Sequence, residues 1–515
     1  MNEHDLLESM SEIDEKILER SEESIKIDTK KSGIKHGRTR LMWGSIAAAV
    51  VLIICGIYLF TKLNAGTDGS NTNDDNGLSI PKTYKVAVAE YPLFEAYPDA
   101  SEYTSADGQI DYGKWESLEN KWYQNLLVYR RNIKSKLDES STDIFKSFVS
   151  RATGVLLDST EHKNRIYSPL NIYIILGMLA EITENETRQQ VMNVIGYSEI
   201  EKMREQLNAL WGLNYYNDGA TKNVLASSLW LRDDKEYDKK ILQVLAEYYY
   251  ASSFAGEMGS KKYSQEFRDW LDEQTDGMLT EQIKELAFRS EDVMDIATTV
   301  LFSAQWAVKF SPKNNTKSVF HAFTGDIGCE YMNKTDFYGT YYWGEKFGAS
   351  KMEFEGGISS NVLFILPDEG VDVNELLSDP EVIELIENTN DYTQSKTLRI
   401  QYSIPKFDVV SQMTLNESLN KLGIIDAFDP ATADFSTLTD DTADKSDAYI
   451  GKITHDVRVV TDEEGIKATA YAILPVVGAA EPPEEIIDFV LDRPFIFVIK
   501  TNNEYPVFIG VVENP

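Results

Sequence analysis

The chain has 515 residues and a formal net charge of −34, from 84 acidic and 50 basic side chains. That balance works against nucleic acid or an anionic membrane surface as the main partner and favours solubility. A 42% hydrophobic and 11% aromatic content is enough for a large core, and the two cysteines, Cys55 inside an apolar run and Cys329 far downstream, give no ground for a disulfide.

Residues 1–40 form a polar stub in which Leu6, Met10, Ile13 and Ile17 recur at helical spacing. This is either a partner-binding amphipathic helix or an unpartnered one. Residues 41–60 read LMWGSIAAAVVLIICGIYLF, an uncharged run long enough to cross a bilayer. A signal peptide has a shorter apolar stretch and begins near residue 1, so a transmembrane helix is expected over 41–61. Lys26, Lys30, Lys31, Lys35, Arg38 and Arg40 precede it, and after Lys62 no basic residue follows until Lys82. The basic flank stays in the cytoplasm, which puts the chain in the cell membrane as a single-pass protein with the C-terminal portion outside. Residues 62–79, rich in Asn, Asp, Gly, Ser and Thr, read as a flexible linker. Residues 80–141 are expected to be a stem or an N-terminal extension of the main domain, with weak strand alternation near Lys85 and a helical pattern over 115–136.

From residue 142 to 515 the signals are dense and mixed. Helical periods cover 142–158, 170–183, 267–274 and 415–422; strand-like runs cover 224–232, 298–306, 361–366, 398–404 and 495–500. Strands and helices do not alternate at fixed spacing, which indicates an α+β fold with large, mostly antiparallel sheets. Of the five histidines, His162, His321 and His455 lie beyond the predicted span. The chain has no G-x-S-x-G elbow, HExxH, P-loop or dinucleotide fingerprint, and no Cys/His cluster at zinc spacing. An enzyme, a metal and a cofactor are therefore not expected, although a Ser-His-Asp triad is recognised by geometry and not by a motif, which leaves a membrane-anchored enzyme as a further reading.

The last 60 residues carry the most specific pattern. Asp462-Glu463-Glu464-Gly465 leads into Ile466-Lys467-Ala468-Thr469-Ala470-Tyr471-Ala472, then come Pro482-Pro483-Glu484, Arg493-Pro494-Phe495 and the closing Gly510-Val511-Val512-Glu513-Asn514-Pro515. Upstream, in order, stand Asn164 with Ser168-Pro169, Glu186-Thr187, Trp270 with Thr275 and Gly277, Phe302 with Trp306 and Phe310, Leu366-Pro367-Asp368-Glu369, Pro405-Lys406-Phe407 and Ala433-Asp434-Phe435-Ser436. This ordered set resembles the serpin family of serine protease inhibitors over about residues 142–515. The resemblance implies three β-sheets surrounded by about eight or nine helices, with an exposed reactive-centre loop. The chain departs from the family pattern at Asn171, where Ser is usual, and at Thr298, where Asn is usual. Ile466 and Lys467 replace the usual Thr and Glu.

The same resemblance implies a mechanism. A target serine protease attacks the loop and forms an acyl-enzyme, and the cut loop inserts as a new strand into a five-stranded central sheet. An inserting strand needs small or apolar side chains at every second position; here these are Ile466, Ala468, Ala470, Ala472 and Leu474. Ile466 is expected to contact little before insertion. Family loops place the cut fourteen residues past Gly465, which gives the Ala479-Ala480 bond, flanked by Val476, Val477 and Gly478. No Arg or Lys is near, so elastase-like or subtilisin-like targets fit better than trypsin-like ones. Pro475 lacks a ladder donor for the inserted strand. The resemblance assigns Glu463, Glu464 and Gly465 to the hinge, Lys406 with Glu463 to an ion pair where the loop enters, and Ser168, Asn171, Thr298, Trp306 and His455 to the region that controls sheet opening. No basic helix suggests a polyanion cofactor, and a monomer is expected. The alternative is a non-inhibitory serpin-fold binding module at the cell surface.

The charge bias around residues 41–60 generates a direct expectation. Protease added outside intact cells removes the C-terminal domain and spares residues 1–40. Protection of the C-terminal domain would reverse the orientation.

Overall fold

The computed structural model describes residues 84–515 except 99–101, 106–108, 160, 220, 357–358, 440–447, 467–482 and 503. The predicted stub, membrane span and linker lie outside the described residues, as do Ala468, Ala470, Ala472, Val476, Val477, Gly478, Ala479 and Ala480. Among the described residues no helix is long and apolar enough to cross a membrane.

In chain order the elements are β1 (Lys85–Ala87), α1 (Tyr112–Lys134), α2 (Glu139–Leu156), β2 (Arg165–Tyr167), α3 (Pro169–Ile182), α4 (Asn185–Ile195), α5 (Ile200–Asn214), β3 (Tyr216–Asn217) and β4 (Lys222–Arg232). Then follow α6 (Lys239–Tyr248), β5 (Ala251–Gly256), α7 (Lys261–Gln274), β6 (Met294–Gln305), β7 (Thr316–Ala322), β8 (Gly325–Trp343), β9 (Phe347–Glu353) and β10 (Asn361–Pro367). The chain continues through α8 (Val373–Leu376), α9 (Pro380–Glu387), β11 (Ser395–Pro405), β12 (Phe407–Thr414) and α10 (Asn416–Leu422). It closes with β13 (Ile450–Thr461), β14 (Gly465–Ile466), β15 (Ile486–Val490), β16 (Phe495–Thr501) and β17 (Tyr505–Val512).

The central sheet has the strand order β1-β5-β4-β6-β14-β13-β12, with β3 on β4. It is covered on both faces, which is why β6 is buried along its whole length instead of alternating. Behind it lies α3, buried at every residue, and apart from Asn171 and Glu181 its sequence is apolar on every face. Pro169 sits in its first turn and the Ser168 hydroxyl accepts the Asn171 N–H at 3.3 Å, which fixes where the helix starts. In front lies α7, capped by Ser260, whose Tyr263, Phe267, Trp270 and Leu271 are buried at helical spacing. That face meets Trp230 of β4, whose ring stacks on Phe254 at 4.1 Å between centroids.

The second sheet has the order β15-β11-β8-β9-β10-β16-β17-β2, with β7 on β8. The expectation of three sheets is corrected here to two hydrogen-bonded ones among the described residues. The cause is β8, 19 residues long. It pairs with β7 and β11 along most of its length and then, through Tyr341, Tyr342 and Trp343, with β9. Its length therefore joins two families of strands into one ladder. Ten α-helices are described, against the expected eight or nine.

Residues 84–134 pack on the same body. β1 adds antiparallel to the edge strand β5, which covers backbone groups that an edge otherwise exposes. Tyr91 stacks on Tyr215 at 5.5 Å, and Trp122 of α1 donates its indole N–H to the Glu95 carbonyl at 3.1 Å.

Candidate functional site: the hinge between two central strands

β6 and β13 are parallel neighbours, in register from Lys452 opposite Asp295 to Val457 opposite Val300. Past Val457 they part, and the two-residue β14 fills the opening. Ile466 pairs with Thr461 of β13 and with Ala304 of β6, and Gly465 pairs with Gln305. A tight turn brings the chain round: the Asp462 carboxylate accepts the N–H groups of Glu464 (2.8 Å) and Gly465 (3.2 Å), and Asp462 N–H donates to the Gly465 carbonyl at 3.0 Å. Gly465 has φ +154, and a Cβ there would collide with the Ala304 carbonyl oxygen. Only glycine lets the backbone pass this close to β6.

The turn is anchored from three sides. Trp306, fully buried, donates its backbone N–H to Glu464 O (3.0 Å) and its indole N–H to Asp462 O (2.9 Å), while Phe310 N–H donates to Glu463 O (3.1 Å). Lys406 pairs with the Glu463 carboxylate at 2.8 Å and with Glu330 at 3.3 Å, and Asn315 Nδ2 donates to Glu463 at 2.5 Å. Lys309 pairs with Glu464 at 2.6 Å. Burial pushes the Glu463 carboxyl up, but the hydrogen bonds from Lys406 and Asn315 outweigh it and its pKa is lowered. The bond to Glu463 raises Lys406. The pair therefore stays charged through neutral pH.

Ile466 overturns one expectation. It is only 1% exposed and lies in the main core, so it does contact its surroundings before any insertion. The first inward side chain is already seated.

Farther along the same seam, α3 reaches the sheet. Asn171 Nδ2 donates to Thr299 O (2.8 Å) and Ala226 O (3.4 Å) and also bonds the Thr298 hydroxyl, joining α3 to β4 and β6. Thr298 in turn donates to Ala226 O at 3.2 Å. His455 of β13 accepts the Ser168 N–H on Nε2 at 2.9 Å. The structure thus brings Ser168, Asn171, Thr298 and His455 together behind the seam, and Glu463, Glu464, Gly465, Ile466, Trp306 and Lys406 at its open end. Asn315 and Lys334 at the open end lie outside the recognised motifs, and Lys309 stands at an unspecified position between Trp306 and Phe310 of one of them, so none of the three was singled out.

Comparisons with known proteins agree with this architecture. A family model described as "Serpin (serine protease inhibitor)" matches residues 145–515. Leukocyte elastase inhibitor A of Rattus norvegicus is 26% identical over 376 residues, covering 70% of this chain and 95% of its own length. The solved structure of Tengpin, a thermophilic serpin in its native state, is 27% identical with a TM-score of 0.65, covering 74% of this chain and 95% of that one. Human thyroxine-binding globulin, solved with its ligand, is 21% identical with a TM-score of 0.63 and coverages of 73% and 98%, a likeness of fold alone.

Burial holds the His455 imidazole neutral and lowers its pKa to about 3 from the usual 6.5. The unfolded chain binds this proton below 6.5 and the folded chain does not, so folded stability is intact above about 6.5 and falls as pH drops towards 3, by up to about 1.4 kcal/mol per pH unit. Asp295 and Asp456 oppose this trend, because burial raises their carboxyls to about 7 and about 6. The His455→Gln variant isolates the histidine. Denaturant unfolding from pH 7 to pH 4 should show wild type losing its advantage over the variant progressively. Parallel profiles would contradict the assignment.

Proposed function

The chain belongs to the serpin family, and from that premise we propose that it inhibits a serine protease as a suicide substrate, from a position outside the cell and tethered by the helix expected at 41–61. Members of the family are generally inhibitors and not enzymes. The observation that carries the reading for this chain is β14, seated as the first residues of a strand where β6 and β13 part. Behind it in sequence stand Ala468, Ala470 and Ala472 at the inward positions, with nothing charged among them.

The steps follow from ordinary acyl-transfer chemistry. The protease serine attacks the Ala479 carbonyl carbon, the amine of Ala480 leaves, and an ester joins Ala479 to the protease. Release from Ala480 frees the loop to continue the strand that β14 begins, antiparallel to β6. Each added residue gains ladder bonds on both sides, and the inhibitor traps the protease if this outruns attack of water on the ester. Small residues around Ala479 support an elastase-like or subtilisin-like target, and the similarity to an elastase inhibitor of the rat points the same way.

The alternative, a non-inhibitory binding module, is favoured by Ile466 and Lys467 in place of the usual hinge residues and by the fold shared with a thyroxine-binding protein. Incubation with an elastase separates the two: the inhibitory reading requires a covalent complex that survives SDS, and its absence across elastase-like and subtilisin-like enzymes would favour the module.

Ile466 is unsuitable for testing insertion by mutation, because a charge there already disrupts the uncut protein. Ala470 is the better position. A guanidinium there has to enter the buried face of the sheet during insertion, at a cost of several kcal/mol. Ala470→Arg should fold normally and still be cut at Ala479-Ala480, yet release active protease. Ala479→Arg should shift inhibition towards trypsin-like enzymes. Wild-type stoichiometry in Ala470→Arg would show that insertion is not how the protein acts.

A further inference from the structure

Lys334 lies within β8, opposite Tyr402 of β11, and outside every recognised motif. Its ammonium sits 4.6 Å from the centroid of the Phe310 ring and 5.8 Å from that of Trp306, and it donates to the Val308 carbonyl at 2.8 Å. Among the described residues it has no carboxylate partner within ion-pair distance. The two rings under it belong to the two residues that hold the hinge turn: Trp306 through Asp462 O and Glu464 O, and Phe310 through Glu463 O. Phe354 also packs on Trp306, stacked at 4.8 Å between centroids. One cation from the second sheet thus rests on the aromatic pair that positions the first residues of the growing strand.

We propose that Lys334 is a positioning residue for loop insertion, holding Trp306 and Phe310 by cation–π attraction so that the hinge keeps the register in which the strand grows. This rests on the reading that the loop inserts. The bonds from Trp306 and Phe310 go to the carbonyls of Asp462, Glu463 and Glu464 in the turn just before β14, so a strand that lengthens beyond Ile466 does not compete for them. Weakening their support slows insertion relative to hydrolysis of the ester. A partly desolvated cation–π contact corresponds to roughly a threefold to thirtyfold effect on such a competition.

The charges around Lys334 allow a pH test. Burial pulls its ammonium down to about 8, partly offset by Asp336 on its own strand. Across the site, Lys406 is raised by Glu463, and Glu463 and Glu330 are both lowered, so that cluster keeps its charge between pH 7 and 9. Lys309 with Glu464 forms a further ion pair of the turn, Tyr402 stands opposite Lys334 with its hydroxyl pushed up by burial, and the Cys329 thiol earlier on β8 is pushed up by burial as well. As pH rises through about 8, Lys334 loses its charge and the hold on the rings weakens.

The experiment uses the full chain with Lys334→Gln and Lys334→Arg. The first readout is hydrogen exchange of the Trp306 and Phe310 amides at pH 7, without protease; Lys334→Gln should exchange several-fold faster and Lys334→Arg should match wild type. The second is the number of inhibitor molecules consumed per elastase inactivated. For wild type it should rise between pH 7 and 9, for Lys334→Arg stay low and flat, and for Lys334→Gln stay high and flat. Wild-type exchange rates in Lys334→Gln, or a step near pH 8 that persists in Lys334→Arg, would overturn the proposal. If wild type forms no complex at all, the inhibitory reading fails, and the exchange readout still decides whether Lys334 holds the hinge.

Discussion

The parting of β6 and β13 governs the rest of the structure. Two parallel strands paired in register over half their length and separated over the remainder leave an opening whose edges present backbone donors and acceptors. Such groups do not stay unpaired inside a protein. Gly465 and Ile466 satisfy the first of them, and everything about the 462–466 turn serves to bring those two residues in. The Asp462 side chain closes the turn, glycine permits the approach, and the Lys406–Glu463 and Lys309–Glu464 pairs hold the outer side.

What resists opening is a set of side-chain bridges across the closed part of the seam. Thr299 of β6 donates to Asp456 O of β13 at 2.7 Å, and Asp295 of β6 accepts the Lys452 N–H at 2.9 Å where the register shifts. A Cβ at residue 451 would come within 2.7 Å of the Asp295 carboxylate, so Gly451 is what lets that bridge form. These bonds are incomplete. Asp295 Oδ2, Asp456 Oδ2, His455 Nδ1 and Asn171 Oδ1 are buried with no partner among the described residues. Each unsatisfied group weakens the closed sheet by a desolvation penalty of about 1–3 kcal/mol.

The sequence was most legible where the chemistry is local. Ser168-Pro169 marked the start of α3 because a hydroxyl cap and a proline have positional meaning. The uninterrupted apolar runs marked β4, β6 and β16, and Gly465 marked the hinge. β8 escaped notice because it is half exposed: Asn333, Lys334, Thr335 and Asp336 give it little apolar alternation, and only pairing with β11 and β7 makes it a strand. The seating of Ile466 was misjudged for a related reason. Its burial depends on how far β6 and β13 part, which is a property of the sheet and not of residue 466. Asn171 and Thr298 were visible as departures from the family pattern. That one amide spans two strands emerges only when α3 is laid on the sheet.

Among the described residues only Gly465 and Ile466 pair between β6 and β13 past Val457, and the proposed inhibition requires the residues that follow to extend that strand once the chain is cut. The most direct measurement is the thermal unfolding midpoint of the intact protein against the same protein cut within residues 476–480, with cleavage verified by mass. With strand insertion the cut protein melts at a much higher temperature, because the freed strand completes the ladders of β6 and β13. A cut protein that melts at the same temperature as the intact one, or below it, would contradict it.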